Sequence, residues 1–214
     1  MIKHINGWDV NIRELETDIY GLKFKPQLED KYDNDADIAY FHRGGFVEVS
    51  QQNFELMESL AKEYCTHGVM EIGVSRNGEG SFTRAILNHK PDDVPYLGVD
   101  LDDKTYLNNP DKKIFTLKEN SFNQEAVRNY IKEIGMDKIS LFFIDGWHSV
   151  NAVINDWLYV DMLSDNAIVV FHDTNYHPGP AIFLPAIDET IFKVENYFEG
   201  FDYGMGVAYK IQKY

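Results

Sequence analysis

The stretch Val69-Met70-Glu71-Ile72-Gly73-Val74-Ser75-Arg76-Asn77-Gly78-Glu79-Gly80-Ser81-Phe82 decides the fold. It opens as a short run of almost wholly apolar residues, as a strand buried on both faces does. It then passes through a glycine-rich turn into a segment carrying Phe82, Ala85, Ile86 and Leu87 at helical spacing. Glycines let a backbone approach a ligand where a Cβ would obstruct it. The spacing of Gly73, Gly78 and Gly80 is not the tight G-x-G-x-x-G of a dinucleotide fold, and the acid two residues before the first glycine, Glu71, is placed to take the ammonium of an amino-acid ligand. An ordinary strand-turn-helix corner is the plain alternative.

Outward from this segment, short β-branched apolar runs alternate with helical periods, the signature of an α/β protein with a parallel sheet covered on both faces. Strands are expected near 69–74, 96–101, 114–117, 139–145 and 167–172. Phe54, Met57, Leu60, Ala61 and Tyr64 form a helical stripe behind Ser50 as N-cap, and Ala126, Val127, Tyr130, Ile131 and Ile134 another between Ser121 as cap and Gly135 as stop. A third helix is expected over 149–163, a fourth over 180–189, and an antiparallel pair over 191–198 and 205–211. The first fifty residues show no sustained period, and they read either as a surface wrap or as a substrate lid, in which Trp8, Tyr20, Tyr40 and Phe41, with Tyr176 and His177 after the fifth strand, would stack on a ring-shaped acceptor and the acidic stretch 29–37 would discourage an anionic one.

The polar residues at strand ends carry the chemistry. Asp100 follows the glycine loop at the distance where an acid accepts the ribose hydroxyls of a nucleoside, although it could also be a strand-end cap. Asn120 and Ser121 follow the next strand and would line the same crevice. The fourth strand ends Ile144-Asp145-Gly146-Trp147-His148-Ser149 and the fifth Phe171-His172-Asp173-Thr174-Asn175. An Asp or His directly after a buried run is costly to desolvate unless it caps, pairs or coordinates, and two such clusters on adjacent strands argue for chemistry.

Composition narrows the partners. Subtracting 35 acidic from 20 basic residues gives a formal charge of -15, a field that repels nucleic acid and acidic membranes. The single cysteine, Cys65, excludes an internal disulfide and a thiolate zinc cluster, and no secretory leader is legible, so a cytoplasmic setting is expected. The apolar runs are far shorter than the ~20 residues that span a bilayer. Oligomeric state is not readable, and a homo-oligomer is compatible with everything above.

These motifs resemble the class I S-adenosylmethionine-dependent methyltransferases, and within them the branch of macrocin-type sugar O-methyltransferases and cephalosporin-hydroxylase-like proteins. The resemblance covers about Phe54 to Ile211. Its carriers are Glu71-Ile72-Gly73, Gly78, Ser81, Gly98-Val99-Asp100, Ile144-Asp145-Gly146-Trp147-His148-Ser149 and His172-Asp173-Thr174. It implies a Rossmann-like, doubly wound seven-stranded sheet of order 3-2-1-4-5-7-6 with the last strand antiparallel, in a domain over 50–214 behind an N-terminal segment over 1–49. It implies an O-methyltransferase acting on a hydroxylated small molecule, possibly a sugar. S-adenosylmethionine would be contacted by Glu71, Gly73, Gly78, Ser81, Asp100, Asn120, Ser121 and Asp145. In metal-using relatives, acids matching Asp145 and Asp173 hold magnesium, Asn175 being a further oxygen donor here, and the histidine matching His148 is the general base. Those relatives carry an acid immediately before the one matching Asp173, whereas this chain has His172. Without a metal, His148 and His172 would work by positioning and proton acceptance. A non-catalytic S-adenosylmethionine-binding or assembly module is the alternative, and a nicotinamide-dependent oxidoreductase a weaker one.

Overall fold

Every residue of Val69–Ile72 is buried, which places this run in the middle of a sheet. The computed structural model describes residues 1–5, 8–13, 15, 19–28, 47–75, 81–197, 200 and 202–212. In chain order the elements are β1 (Ile2–Ile5), β2 (Trp8–Arg13), β3 (Lys25–Gln27), α1 (Gln51–Tyr64), β4 (Val69–Ile72), α2 (Phe82–His89), β5 (Tyr96–Asp100), β6 (Ile114–Lys118), α3 (Gln124–Glu133), β7 (Ile139–Ile144), α4 (Val150–Trp157), β8 (Leu163–His172), α5 (Pro178–Phe183), β9 (Phe192–Tyr197) and β10 (Met205–Lys210). The large sheet runs β6-β5-β4-β7-β8-β10-β9. Renumbered within that sheet, this is 3-2-1-4-5-7-6, with β10 antiparallel to both neighbours, as expected.

Alternation along the strands sorts the core into two layers. Met70, Ile72, Phe142, Ile144, Val169 and Phe171 face one cluster, with Val127 and Ile131 of α3, Val153 and Trp157 of α4 and Phe183 of α5. Val69, Leu141, Phe143, Ile168 and Val170 face the other, with Met57 and Leu60 of α1 and Ala85 and Ile86 of α2. The helices therefore lie on both faces, and the parallel strands deliver their carboxyl ends to one edge. The order reverses at β4, which pairs β5 on one side and β7 on the other, so the crevice between Asp100 and Asp145 is the switch point where ligands of such sheets collect.

Ser50 caps α1 as expected, its side chain accepting from the Asn53 amide. Other boundaries move. The cap of α3 is Asn123 rather than Ser121, because the chain turns once more after β6 before the helix starts. Helix α4 stops at Trp157, a 3-10 turn covers Leu158–Met162, and Leu163 already pairs with Ile139. The early part of β8 contains Ser164, Asp165 and Asn166, and Asn166 sits at φ +57°, so the strand period is broken there and only its second half is legible. The helix expected over 180–189 begins earlier and is short, with a 3-10 turn at Leu184–Ala186.

The N-terminal residues form a structure that periodicity did not anticipate: β1, β2 and β3 make a separate antiparallel sheet. The signal spans only six residues, Trp8, Val10 and Ile12 alternating with Asp9, Asn11 and Arg13. Val10, Leu22 and Leu28 join the same cluster as Trp157 and Phe192. Tyr20, expected to face an acceptor, instead gives its carbonyl to Trp157 Nε1 at 2.8 Å and sets its ring edge-on to Phe192 at the amino end of β9. The acidic stretch 29–37, Tyr40 and Phe41 lie outside the described residues. No helix among the described residues is long and apolar enough to cross a membrane.

Candidate active site

Backbone register assembles the site before any side chain acts. Ile72 pairs with both Val99 and Ile144, and Ile144 pairs with Phe171. The next residues along the chain, Gly73, Asp100, Asp145 and His172, therefore stand in a row at the sheet's carboxyl edge. Gly73 lies at φ +84°, and a Cβ there would collide with the Asp145 carbonyl, so glycine lets β4 and the turn after β7 approach each other. Its N–H donates to the Val99 carbonyl at 3.0 Å and the Asp145 N–H to the Ile72 carbonyl at 2.8 Å.

At the end of β5, Asp100 is anchored by the amides of Val74 at 2.8 Å and Asp102 at 2.7 Å. The buried ammonium of Lys104 lies 3.6 Å from Oδ2. Each carboxylate oxygen keeps a second acceptor site, so the group can still receive a diol. Glu71 is fully buried, and its oxygens receive the hydroxyls of Thr83 at 2.5 Å and Tyr96 at 2.6 Å. Burial pushes its carboxyl up from 4.5 to about 8 against the pull of those hydroxyls. The Ser75 amide donates to Thr83 Oγ1, so this carboxyl organises the start of the glycine loop. Ser81 caps α2 and accepts from the Arg84 amide. Gly78 lies outside the described residues. Asn120 is exposed and folds back on the Phe122 amide. Ser121 is buried beside Asp156, whose carboxyl burial pushes up to about 7 against hydrogen bonds from Ser121 and Asn155.

On the chemical side, five ionisable groups converge. His172 Nδ1 is 3.1 Å from Asp145 Oδ1 and 3.4 Å from Asp173 Oδ1, and its Nε2 donates to the Glu48 carbonyl at 3.0 Å. His148 Nε2 lies 2.6 Å from Asp173 Oδ2, an ion pair by distance rather than an aligned hydrogen bond, and 3.8 Å from Asp145 Oδ1. His177 stacks on His148 with ring centres 4.1 Å apart and an interplanar angle of 6°, its Nε2 3.9 Å from Asp173 Oδ2. Asp173 sits at φ +62°, a left-handed conformation that a non-glycine residue adopts only when its surroundings impose it. Burial opposes charge on His148 and His172, but the Asp173 charge and the contacts to Asp145 outweigh it and hold the rings up at about 10 and about 9. Burial likewise opposes charge on Asp173, yet the surrounding imidazoles hold it well below the usual carboxylate range. Side-chain exposures of 19% for His148 and 22% for Asp145, against 3% for His172 and 4% for Asp173, put the first two on the open side of the cluster, although both ring nitrogens of His148 are covered.

The four residues expected at the ends of strands four and five, Asp145, His148, His172 and Asp173, are thus brought together. Asn175 is instead tied to the chain entering β10, its side-chain amide donating to the Asp202 carbonyl and its backbone N–H to that of Tyr203. The contributions of Thr83, Tyr96, Lys104 and Asp156 were not read from sequence, and His177, read as a stacking surface for an acceptor, stacks on His148. It stands four residues after Asp173, immediately before Pro178 at the start of α5.

No protein-family model matches the chain, and no curated protein matches it. Solved structures do match. An O-methyltransferase from Bacillus cereus in complex with SAH is 12% identical, with 76% of this chain and 82% of that one covered and a TM-score of 0.55. TomG from Streptomyces achromogenes, an O-methyltransferase involved in tomaymycin synthesis and solved with SAM, is 13% identical over 76% and 81%, with a TM-score of 0.55. MycE, a methyltransferase of the mycinamycin biosynthetic pathway solved with Mg, SAH and mycinamycin VI, is 12% identical over 73% of this chain and 48% of its own, with a TM-score of 0.53. The chain shares the Rossmann-like fold of these methyltransferases.

Proposed function

We propose that this protein transfers a methyl group from S-adenosylmethionine to a hydroxyl of a small molecule, a sugar being one candidate class. The observation that carries the reading is the row of Gly73, Asp100, Asp145 and His172 along one sheet edge, with a nucleoside-type carboxylate at one end and a buried His/Asp cluster at the other. A donor laid along that row would give its ribose to Asp100 and its amino-acid end to the glycine loop. Its methyl would then point toward Asp145 and His148.

Methyl transfer from a sulfonium is an in-line displacement, so the protein must hold the acceptor oxygen about 3 Å from the methyl carbon and relieve it of its proton. Asp145 is the group that would meet that oxygen first, and His148 stands beside it with its ring nitrogens covered. His148 as general base carries a restriction. While the Asp173 charge holds it protonated, it can orient the acceptor by donating a hydrogen bond but cannot take a proton. Asp145 and Asp173 suit a divalent cation, and Asp173 Oδ1 accepts no hydrogen bond among the described residues. Such an ion would supply acidification of a coordinated hydroxyl. With positive charge beside Asp173, the electrostatic reason for His148 to stay protonated weakens. Trp147, 48% exposed beside His148, offers a flat apolar surface to a ring-shaped acceptor. The cytoplasmic setting rests on composition and on Cys65, a free cysteine buried within the core.

The test is calorimetric titration with S-adenosylhomocysteine. The full chain should bind one equivalent, and Asp100→Ala should weaken binding at least tenfold, since charge-assisted bonds to two hydroxyls contribute about 1.5 to 3 kcal/mol each. Unchanged affinity would remove the nucleoside site. Transfer of labelled methyl across a panel of polyols and glycosides then identifies the acceptor.

A further inference from the structure

Where β7 and β8 end, His172 faces the carboxylates of Asp145 and Asp173, and His148 approaches the same pair from the other side. The Nε2 of His172 lies against the Glu48 carbonyl, which can only accept, so one ring proton is fixed on Nε2. Nδ1 then turns toward Asp145 Oδ1 and Asp173 Oδ1, at 3.1 and 3.4 Å. The contact with Asp145 is an aligned hydrogen bond, so a proton stands on Nδ1 in the absence of an ion, and a bound cation would take that proton's place. His148 Nε2 repeats the pattern from the other side, against Asp173 Oδ2 and Asp145 Oδ1.

The spacing suits a metal ion. Donor atoms bound to one ion at about 2.0–2.2 Å stand roughly 2.9 to 3.6 Å apart in octahedral or tetrahedral sites, and the His172 separations fall in that range. An imidazole whose far N–H is held by a backbone carbonyl is the usual arrangement of a metal-binding histidine. Oδ1 of Asp173, on a side chain 4% exposed, is the buried acceptor left to be satisfied.

The donor chemistry selects the ion. Magnesium prefers oxygen ligands and water in a strict octahedron, whereas imidazole suits zinc and its first-row neighbours. Here the donors that share one centre are two carboxylates and an imidazole, while the Asn175 side chain is tied through its Nδ2 to the Asp202 carbonyl. We propose that Asp145, His172 and Asp173 hold a first-row transition-metal dication of the zinc type in preference to magnesium. The inference rests on the methyl-transfer reading for the ion's task, but not for its binding.

The experiment uses the full chain, stripped with a chelator, dialysed and titrated calorimetrically with Zn²⁺, Co²⁺ and Mg²⁺, with the Co²⁺ complex also read by visible absorption. One equivalent of Zn²⁺ or Co²⁺ should bind at least 100-fold more tightly than Mg²⁺. His172→Gln should weaken that binding at least tenfold and alter the Co²⁺ bands. Asp145→Asn, at a more exposed position, should do the same and serves if the buried variant does not fold. A preference for Zn²⁺ over Mg²⁺ below 100-fold, binding indifferent to the substitutions, or no one-to-one binding overturns the proposal; in the last case protons alone bridge the cluster. S-adenosylhomocysteine titrated into the same preparations separates the two readings, because donor binding fails with the methyl-transfer reading and ion binding with this one.

Discussion

Glu71 carries at neutral pH a proton that an exposed glutamate has lost. Between its ordinary 4.5 and the folded value of about 8, the native state binds this proton and the unfolded chain does not. The stabilisation is complete below pH 4.5, declines as pH rises through that window and is gone above about 8. At about 1.36 kcal/mol per unit, the loss is on the order of 5 kcal/mol. Asp156, raised to about 7, acts in the same direction. Glu71→Gln, which stays neutral while keeping hydrogen-bonding groups near Thr83 and Tyr96, should flatten the fall in stability between pH 5 and 8 measured by urea denaturation. A slope equal to that of the parent would mean that Glu71 is ionised in the fold. At this scale the sequence was legible where a polar residue ends an apolar run, as Asp100, Asp145 and His172 do. It was not legible for Thr83, Tyr96 or Asp156, which reach their partners from other elements and whose orientation local pattern does not encode.

Among the elements, the turn after β4 depends on one missing side chain. Gly135, at φ +71°, has no atom within 4 Å of an added Cβ, so Gly135→Ala should cost only the left-handed penalty of about 1–2 kcal/mol. Gly73→Ala combines that penalty with a collision against the Asp145 carbonyl and should cost at least about 2 kcal/mol more than the Gly135 change. Denaturant midpoints of the two variants side by side check this, and equal losses would show that the turn yields easily. Strand identity and order were legible because doubly buried strands are unbroken apolar runs. Element ends were less so, because Leu158–Met162 continues the apolar pattern of α4 while tightening into a 3-10 turn. The β1–β3 sheet escaped notice because its strands are short and largely exposed, with Val10 and Pro26 as their buried residues.

In the whole molecule, the N-terminal residues are fastened to the core at several points. The Lys23 amide donates to the Ala186 carbonyl and the Asp188 amide to that of Gly21, both at 2.8 Å, while Trp157 reaches the Tyr20 carbonyl. Burying Val10, Leu22 and Leu28 contributes roughly 1.5 to 3 kcal/mol each, a sum comparable with the 5–15 kcal/mol that holds a typical domain together. A chain starting near Phe46 should therefore lose its cooperative thermal transition by circular dichroism. A cooperative melt with normal S-adenosylhomocysteine affinity but lost turnover would instead make the segment a lid. The position of β10 between β8 and β9 has a consequence for the order of manufacture. A ribosome releases β9 before the strand that joins it to the sheet exists, so neither β9 nor the open edge of β8 can be paired in the native way until β10 has emerged. The sheet is closed by inserting a wedge rather than by adding an edge, and a nascent chain stalled after Tyr197 would expose two unpaired strand edges to its neighbours.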